Sequence, residues 1–178
     1  FVRETFAGLT LHINSNTFFQ VYTEQAEAVV QVILDHLKLQ GHETVLDAYS
    51  GIGTLTLPLA RVARHCLGLE VQAEAVEQAQ QNAKLNNIEN VEFQVGTVED
   101  CLAEIELEPD VVLLDPPRKG CEPAVLENLI LRKVPRIVYV SCNPATLARD
   151  LQHLCQNGPY RLTRVQPADF FPQTAHVE

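Results

Sequence analysis

Methionine and tryptophan are both missing from the 178 residues. The lack of even an initiating methionine leads to the expectation that this is a piece of a longer polypeptide. Long apolar runs are missing too. The longest are four to five residues, such as Val111 to Leu114, whereas a bilayer span needs roughly 20. No basic stretch followed by an apolar one marks the chain for export, so no membrane association is expected. The five cysteines include no C-x-x-C pair, and the six histidines are scattered. A zinc site and a disulfide framework are therefore not expected, and a reduced, cytoplasmic, metal-free monomer is. Internal repeats, low-complexity tracts and long linkers are absent as well. The length suits one domain with a real core.

Positive charge is scarce, with a net charge of −10. Residues 1–117 carry −13 and residues 118–178 carry +3. Phosphate contact needs local rather than total positive charge. Arg118, Lys119, Arg132, Lys133 and Arg136 could therefore face a polyanion, or form an ordinary solvated surface.

From about residue 41 onward, short β-branched segments alternate with helical ones. Val45 to Ala48, Cys66 to Glu70, Val91 to Val95, Val111 to Asp115 and Ile137 to Ser141 read as strands. Helices are expected over Leu55 to Ala63, Gln72 to Leu85, Val98 to Ile105, Pro123 to Leu131 and Ala145 to Cys155. This alternation predicts an α/β fold, with a mostly parallel sheet, helices on both faces and sites at the carboxyl ends of the strands. Glu24 to Leu39 carries Ala28, Val29, Val32, Ile33 and Leu37 at amphipathic spacing. Residues 1–40 are thus expected to pack on the domain as an extension. Tyr160 to Val165 and His176 onward are expected to be antiparallel closing strands.

Asp47-Ala-Tyr49-Ser-Gly51-Ile-Gly53 follows the first of these strands and leads into a helix. Glycine lets a backbone turn sharply and approach a ligand closely. Glu70, at the end of the next strand, can accept hydrogen bonds from both ribose hydroxyls of a nucleoside. A dinucleotide fingerprint would place a third glycine at position 56, which is Thr56 here, so S-adenosylmethionine suits the loop better than NAD. Asp115-Pro116-Pro117-Arg118 ends the fourth strand, where two prolines stiffen the strand tip and remove amide donors.

Ser141-Cys142-Asn143-Pro144 sets a thiol between a strand and a helix. Asn143 suits the N-cap and Pro144 the first helical position. The positive end of a helix dipole favours thiolate. The plain alternative for such a cysteine is a small buried hydrophobe, which is the expectation for Cys66, Cys101, Cys121 and Cys155.

With these three motifs in order and a terminal His176-Val177-Glu178, the chain resembles the RNA 5-methyluridine methyltransferases from Phe18-Phe19-Gln20-Val21 to its last residue. The resemblance implies a Rossmann-like S-adenosylmethionine-dependent methyltransferase fold acting on ribosomal or transfer RNA. It implies Cys142 as nucleophile and Glu178 as general base. Gln20, Tyr49, Glu70 and Asp115 would contact the methyl donor, with Thr54 a weaker contact where many members have asparagine. Phe18 would lie near the target base, and Arg118 would contact the RNA. The resemblance also implies an N-terminal RNA-binding module and a central domain, which are expected to lie in other parts of the parent protein.

The chemistry explains the residue types. Carbon 5 of uracil is a poor nucleophile until a thiolate adds at carbon 6, and the proton left on carbon 5 must later be taken by a base. A stacked or paired uridine must also be splayed out onto an aromatic face. Two rivals remain at this point. One is an amino-group methyltransferase, which needs no cysteine. The other is a non-catalytic cofactor-binding RNA module.

Overall fold

The computed structural model describes residues 1–20, 22–170, 172–174 and 177. A hairpin of β1 (Val2–Phe6) and β2 (Leu9–Ile13) opens the chain, followed by α1 (Thr23–Leu37). Alternation then begins: β3 (Thr44–Asp47), α2 (Thr56–Ala60), β4 (His65–Glu70), α3 (Ala73–Leu85), β5 (Val91–Val95), α4 (Val98–Glu104), β6 (Val111–Leu114), α5 (Pro123–Arg132), β7 (Arg136–Tyr139) and α6 (Pro144–Asn157). The five later strands form one sheet in the order β5-β4-β3-β6-β7, with every pairing parallel. After β5 the chain crosses to the other side of β3, so the topological switch lies between β3 and β6. Ligands of open α/β sheets bind at such a point.

Side chains alternate across the sheet as a period of two requires. Leu46, Leu67, Leu69, Val112 and Leu114 face α4 and α5 through Leu102, Val125, Leu126 and Leu129. Val45, Cys66, Val111 and Leu113 face α1 and α2 through Ile33, Leu37, Leu59 and Ala60. A third cluster joins Phe6, Leu9 and Leu11 of the hairpin to Ala26 and Val30 of α1, to Ala83 of α3, and to Phe170.

The β1–β2 hairpin was not expected from the sequence. It turns at Ala7 and Gly8, with φ of 48° and 72°, the two positive angles of a tight primed turn. Its outer edge is closed by side chains rather than by another strand. Asn86 Oδ1 accepts the Thr10 N–H (2.8 Å) and its Nδ2 donates to the Thr10 carbonyl (2.7 Å). One helical turn earlier, Asn82 does the same with His12 (2.8 and 3.2 Å).

Several expectations need correction. The buried stripe of α1 is Ala26, Val30, Ile33 and Leu37, while Ala28 is exposed. The i, i+4, i+7, i+11 spacing centres the helix face there. Tyr160 to Val165 forms no strand, and Leu162 and Val165 are exposed. Its apolar residues, Tyr160, Leu162 and Val165, break the period of two, and no strand pairs with it among the described residues. His176 lies outside the described residues. Cys155, expected to be buried, is exposed, because it sits on the solvent side of α6, the helix whose inward residues are Asp150 and Leu154.

Among the described residues no helix is long and apolar enough to cross a membrane.

Candidate active site

The carboxyl ends of β3, β4, β6 and β7 open into a cleft of about 750 Å³. Phe18, Gln20, Tyr49, Thr54, Glu70, Asp115, Arg118 and Cys142 all line it. Eight of the sequence-derived site residues are thus brought to one place from four strand ends and from the segment after β2. Glu178 lies outside the described residues.

The first wall is the loop after β3. Gly51 has φ 52°, a conformation open to glycine at little cost. Its N–H donates to Glu70 Oε2 at 3.0 Å, while Glu70 Oε1 accepts the Gln72 N–H at 2.8 Å. The carboxylate is thereby oriented across the cleft mouth. Beneath the loop lies Asp47, 1% exposed. Its Oδ2 accepts the Thr56 hydroxyl at 2.6 Å and its Oδ1 accepts the Tyr49 N–H at 3.3 Å. Burial pushes its pKa up to about 6, against the pull of Thr56 and Tyr49 and with a small push from Glu70. Sequence reading noted this acid beside the glycines without giving it a role; its burial was the missing signal.

The second wall is the loop after β6. Pro116 is buried and Pro117, Arg118 and Lys119 are exposed. The Arg118 carbonyl accepts hydrogen bonds from Asn143 Nδ2 (3.1 Å) and Thr146 Oγ1 (3.2 Å), so this wall is docked on the start of α6. Asn143 caps that helix, accepting the Ala145 N–H at 3.0 Å, and Pro144 begins it. Cys142 immediately precedes the cap, is half-buried and lines the cleft. The thiol therefore stands at the N-terminus of a 14-residue helix.

Behind this wall lies a second, buried thiol. Cys121 is 4% exposed, and burial pushes its pKa up to about 11, even though hydrogen bonds with Tyr139 and Tyr49 pull the other way. Burial likewise raises the Tyr49 hydroxyl, reinforced by the neighbouring Cys121. These groups are neutral near pH 7.

Phe18 is 75% exposed, so its ring is available at the cleft mouth. Phe19 instead packs edge-on against Phe6, with ring centres 5.7 Å apart. Of the five basic residues singled out, Arg118 and Lys119 line the cleft. Arg132 does not. Its guanidinium donates to the carbonyls of Leu102 and Ile105 (both 2.7 Å) and of Leu107 (3.1 Å), closing the end of α4. Arg136 binds the Leu37 carbonyl at 2.8 Å and lies 3.6 Å from Glu43, at the amino end of the sheet. Cluster position along the chain had suggested a shared face, but α5 and β7 send these two away from the cleft.

An uncharacterized RNA methyltransferase of Nostoc sp. (strain PCC 7120) is 61% identical over 178 residues, covering 100% of this chain and 39% of that protein. One from Synechocystis sp. (strain PCC 6803) is 52% identical over 176 residues, covering 99% of this chain and 38% of that protein. The crystal structure of Pyrococcus abyssi tRNA (uracil-54, C5)-methyltransferase in complex with S-adenosyl-L-homocysteine superimposes with a TM-score of 0.83 at 35% identity. It covers 99% of this chain and 42% of that chain. The chain thus spans about two fifths of the length of the relatives it matches. With residues 7–178 matching its sequence description, the chain belongs to the tRNA (uracil-5-)-methyltransferase family.

Proposed function

We propose that this chain is the catalytic domain of an enzyme that transfers a methyl group from S-adenosylmethionine to carbon 5 of a uridine in ribosomal or transfer RNA. One observation carries the reading: Cys142 opens into the same cleft as Gly51, Glu70 and Asp115. A cysteine with no part in the chemistry has no reason to stand there, which disfavours an amino-group methyltransferase and a non-catalytic module.

The donor set fits S-adenosylmethionine. A cleft of about 750 Å³ is in the range of small-molecule sites. Asp47, Glu70, Glu99, Asp115 and Glu122 line it, a charge balance that suits a cationic sulfonium and repels a pyrophosphate. When bound, S-adenosylmethionine supplies an electrophilic methyl group. Glu70 would hold the ribose hydroxyls, and Gln20, Tyr49, Thr54 and Asp115, which line the same cleft, would position the remainder of the donor.

Phe18 stacks on the uridine once it leaves its helix, and Arg118 neutralises a neighbouring phosphate. The Cys142 thiolate adds to carbon 6 of uracil. An S–C6 bond forms, and the electron pair of the C5–C6 double bond moves toward carbon 5 and the 4-carbonyl. After carbon 5 has gained its methyl group, Glu178 removes the proton there. The C5–C6 double bond re-forms as the S–C6 bond breaks, regenerating the thiolate. Arg118 and Lys119 are the cations lining the cleft among the described residues, so the rest of the full-length protein supplies most of the RNA affinity.

RNA with 5-fluorouridine at the target position tests the mechanism, because fluorine cannot leave as a proton. The full-length protein with S-adenosylmethionine should stall as a covalent protein–RNA adduct stable to denaturing electrophoresis. Cys142→Ala should form none. An adduct of equal yield in that variant would exclude the mechanism.

A further inference from the structure

Asp150 lies two turns into α6 and is 1% exposed, yet the chemistry above gives it no part. Its Oδ2 accepts the Cys121 backbone N–H at 2.8 Å and the Tyr139 hydroxyl at 2.6 Å. Its Oδ1 accepts Arg149 Nε at 2.8 Å and lies 2.7 Å from Arg149 Nη2. Arg149 Nη2 in turn donates to the Lys119 carbonyl at 2.8 Å. Together with the bonds from Asn143 and Thr146 to the Arg118 carbonyl, these residues form a stripe on one side of α6 that grips the backbone of residues 118–121. Beyond the grip, the Cys121 thiol is electrostatically coupled to Tyr139 and Tyr49, and Tyr49 lines the donor side of the cleft.

A buried carboxylate is costly unless its oxygens are satisfied, and here four donors satisfy them. Hydrogen bonds to a charged group are also stronger and more directional than neutral ones. Among the side chains that join the loop carrying Asp115 and Arg118 to the helix that follows Cys142, Asp150 is the buried one, bonding the loop backbone, β7 and Arg149 together.

We infer that Asp150 is a positioning residue, fixing the loop after β6 to α6 so that the sulfur of Cys142 and the Asp115 side of the cleft are held at one separation. The inference rests on the proposed role of Cys142. Removing the carboxylate leaves Cys121 N–H, the Tyr139 hydroxyl and Arg149 without their shared acceptor, and frees the loop to shift. A displacement of about 1 Å in a reacting pair costs about 100-fold in rate.

The test uses the full-length protein, with 5-fluorouridine RNA and saturating S-adenosylmethionine. Two quantities are read: the rate of adduct formation, and the dissociation constant of S-adenosylhomocysteine by calorimetry. Asp150→Ala should slow the adduct by about 100-fold while the dissociation constant changes less than about threefold. Asp150→Asn keeps an acceptor for Cys121 and Tyr139, and should recover most of the loss. Arg149→Met, at a side chain 55% exposed, keeps the test available if the alanine variant does not fold, and should slow the adduct by about tenfold, a smaller displacement than the alanine change causes. Unchanged adduct rates in the variants, or affinity and rate falling together, would overturn the inference while leaving the role of Cys142 intact. A wild-type protein that forms no adduct would overturn both.

Discussion

The two loops that wall the cleft reach their shapes by different means. The loop after β3 is shaped largely from within: Gly51 and Gly53 take φ of 52° and 88°, and the neighbouring strand ends serve it through Glu70 and the Leu69 carbonyl, which accepts the Ser50 N–H at 2.9 Å. The loop after β6 is shaped from without. Its residues 118–121 are held by side chains of α6, about 30 positions later in the chain. A self-shaped loop announces itself in its own residues, whereas an imposed one announces itself in residues elsewhere.

The sharpest way to break this contrast is Gly120→Ala. Gly120 has φ +78°, and an added Cβ would lie 2.5 Å from Arg149 Nη2 and from Asp150 Oδ2. Left-handed strain and overpacking together should cost about 4 kcal/mol, measured by urea unfolding. A loss under about 1 kcal/mol would mean that the loop is not seated on α6.

Asp47→Asn sharpens the account of the first loop through pH. The folded pKa of Asp47 is raised from 3.8 to about 6, so the folded state binds its proton more tightly than the unfolded chain does. The resulting stabilisation is complete below about pH 4 and is lost as pH rises through about 6, a change of about 3 kcal/mol. Unfolding free energies of wild type and Asp47→Asn should therefore shift relative to each other by that amount between pH 4 and pH 7, in favour of the variant at pH 7. Parallel curves would show that the buried carboxyl carries no such penalty.

Gly51→Ala should have the smallest effect. Nothing lies within 4 Å of its added Cβ, so only the positive φ is penalised, by about 1–2 kcal/mol. A loss as large as that of Gly120→Ala would erase the distinction between the two loops.

The same distinction explains what could be read from the chain. β5, from Val91 to Val95, stands where expected, and α3, α4 and α5 lie within a residue or so of their expected ends, because each carries its own periodicity. Cys142, Asn143 and Pro144 sit as expected because a cap and a first-turn proline are local chemistry. Asp150 was illegible, since a polar residue inside an amphipathic helix reads as solvent-facing until a loop is laid over it. Arg132 and Arg136 misled for a related reason: a charge cluster in sequence becomes a surface only if its elements point the same way. The β1–β2 hairpin did have a local signal, the alternation around Ala7-Gly8. Tyr160 to Val165 lacks that regularity, with Thr163 and Arg164 adjacent, and it forms no strand among the described residues.

Asn82 and Asn86 have a consequence for how the molecule could be altered. Two carboxamides stand in for a strand along β2, fastening a hairpin that is also packed through Phe6, Leu9 and Leu11, and the five-stranded sheet does not depend on it for backbone pairing. Asn82 also holds the Ile52 carbonyl at 3.3 Å. One amide side chain therefore fastens both the hairpin and the glycine loop, so neither can be altered at that position without disturbing the other.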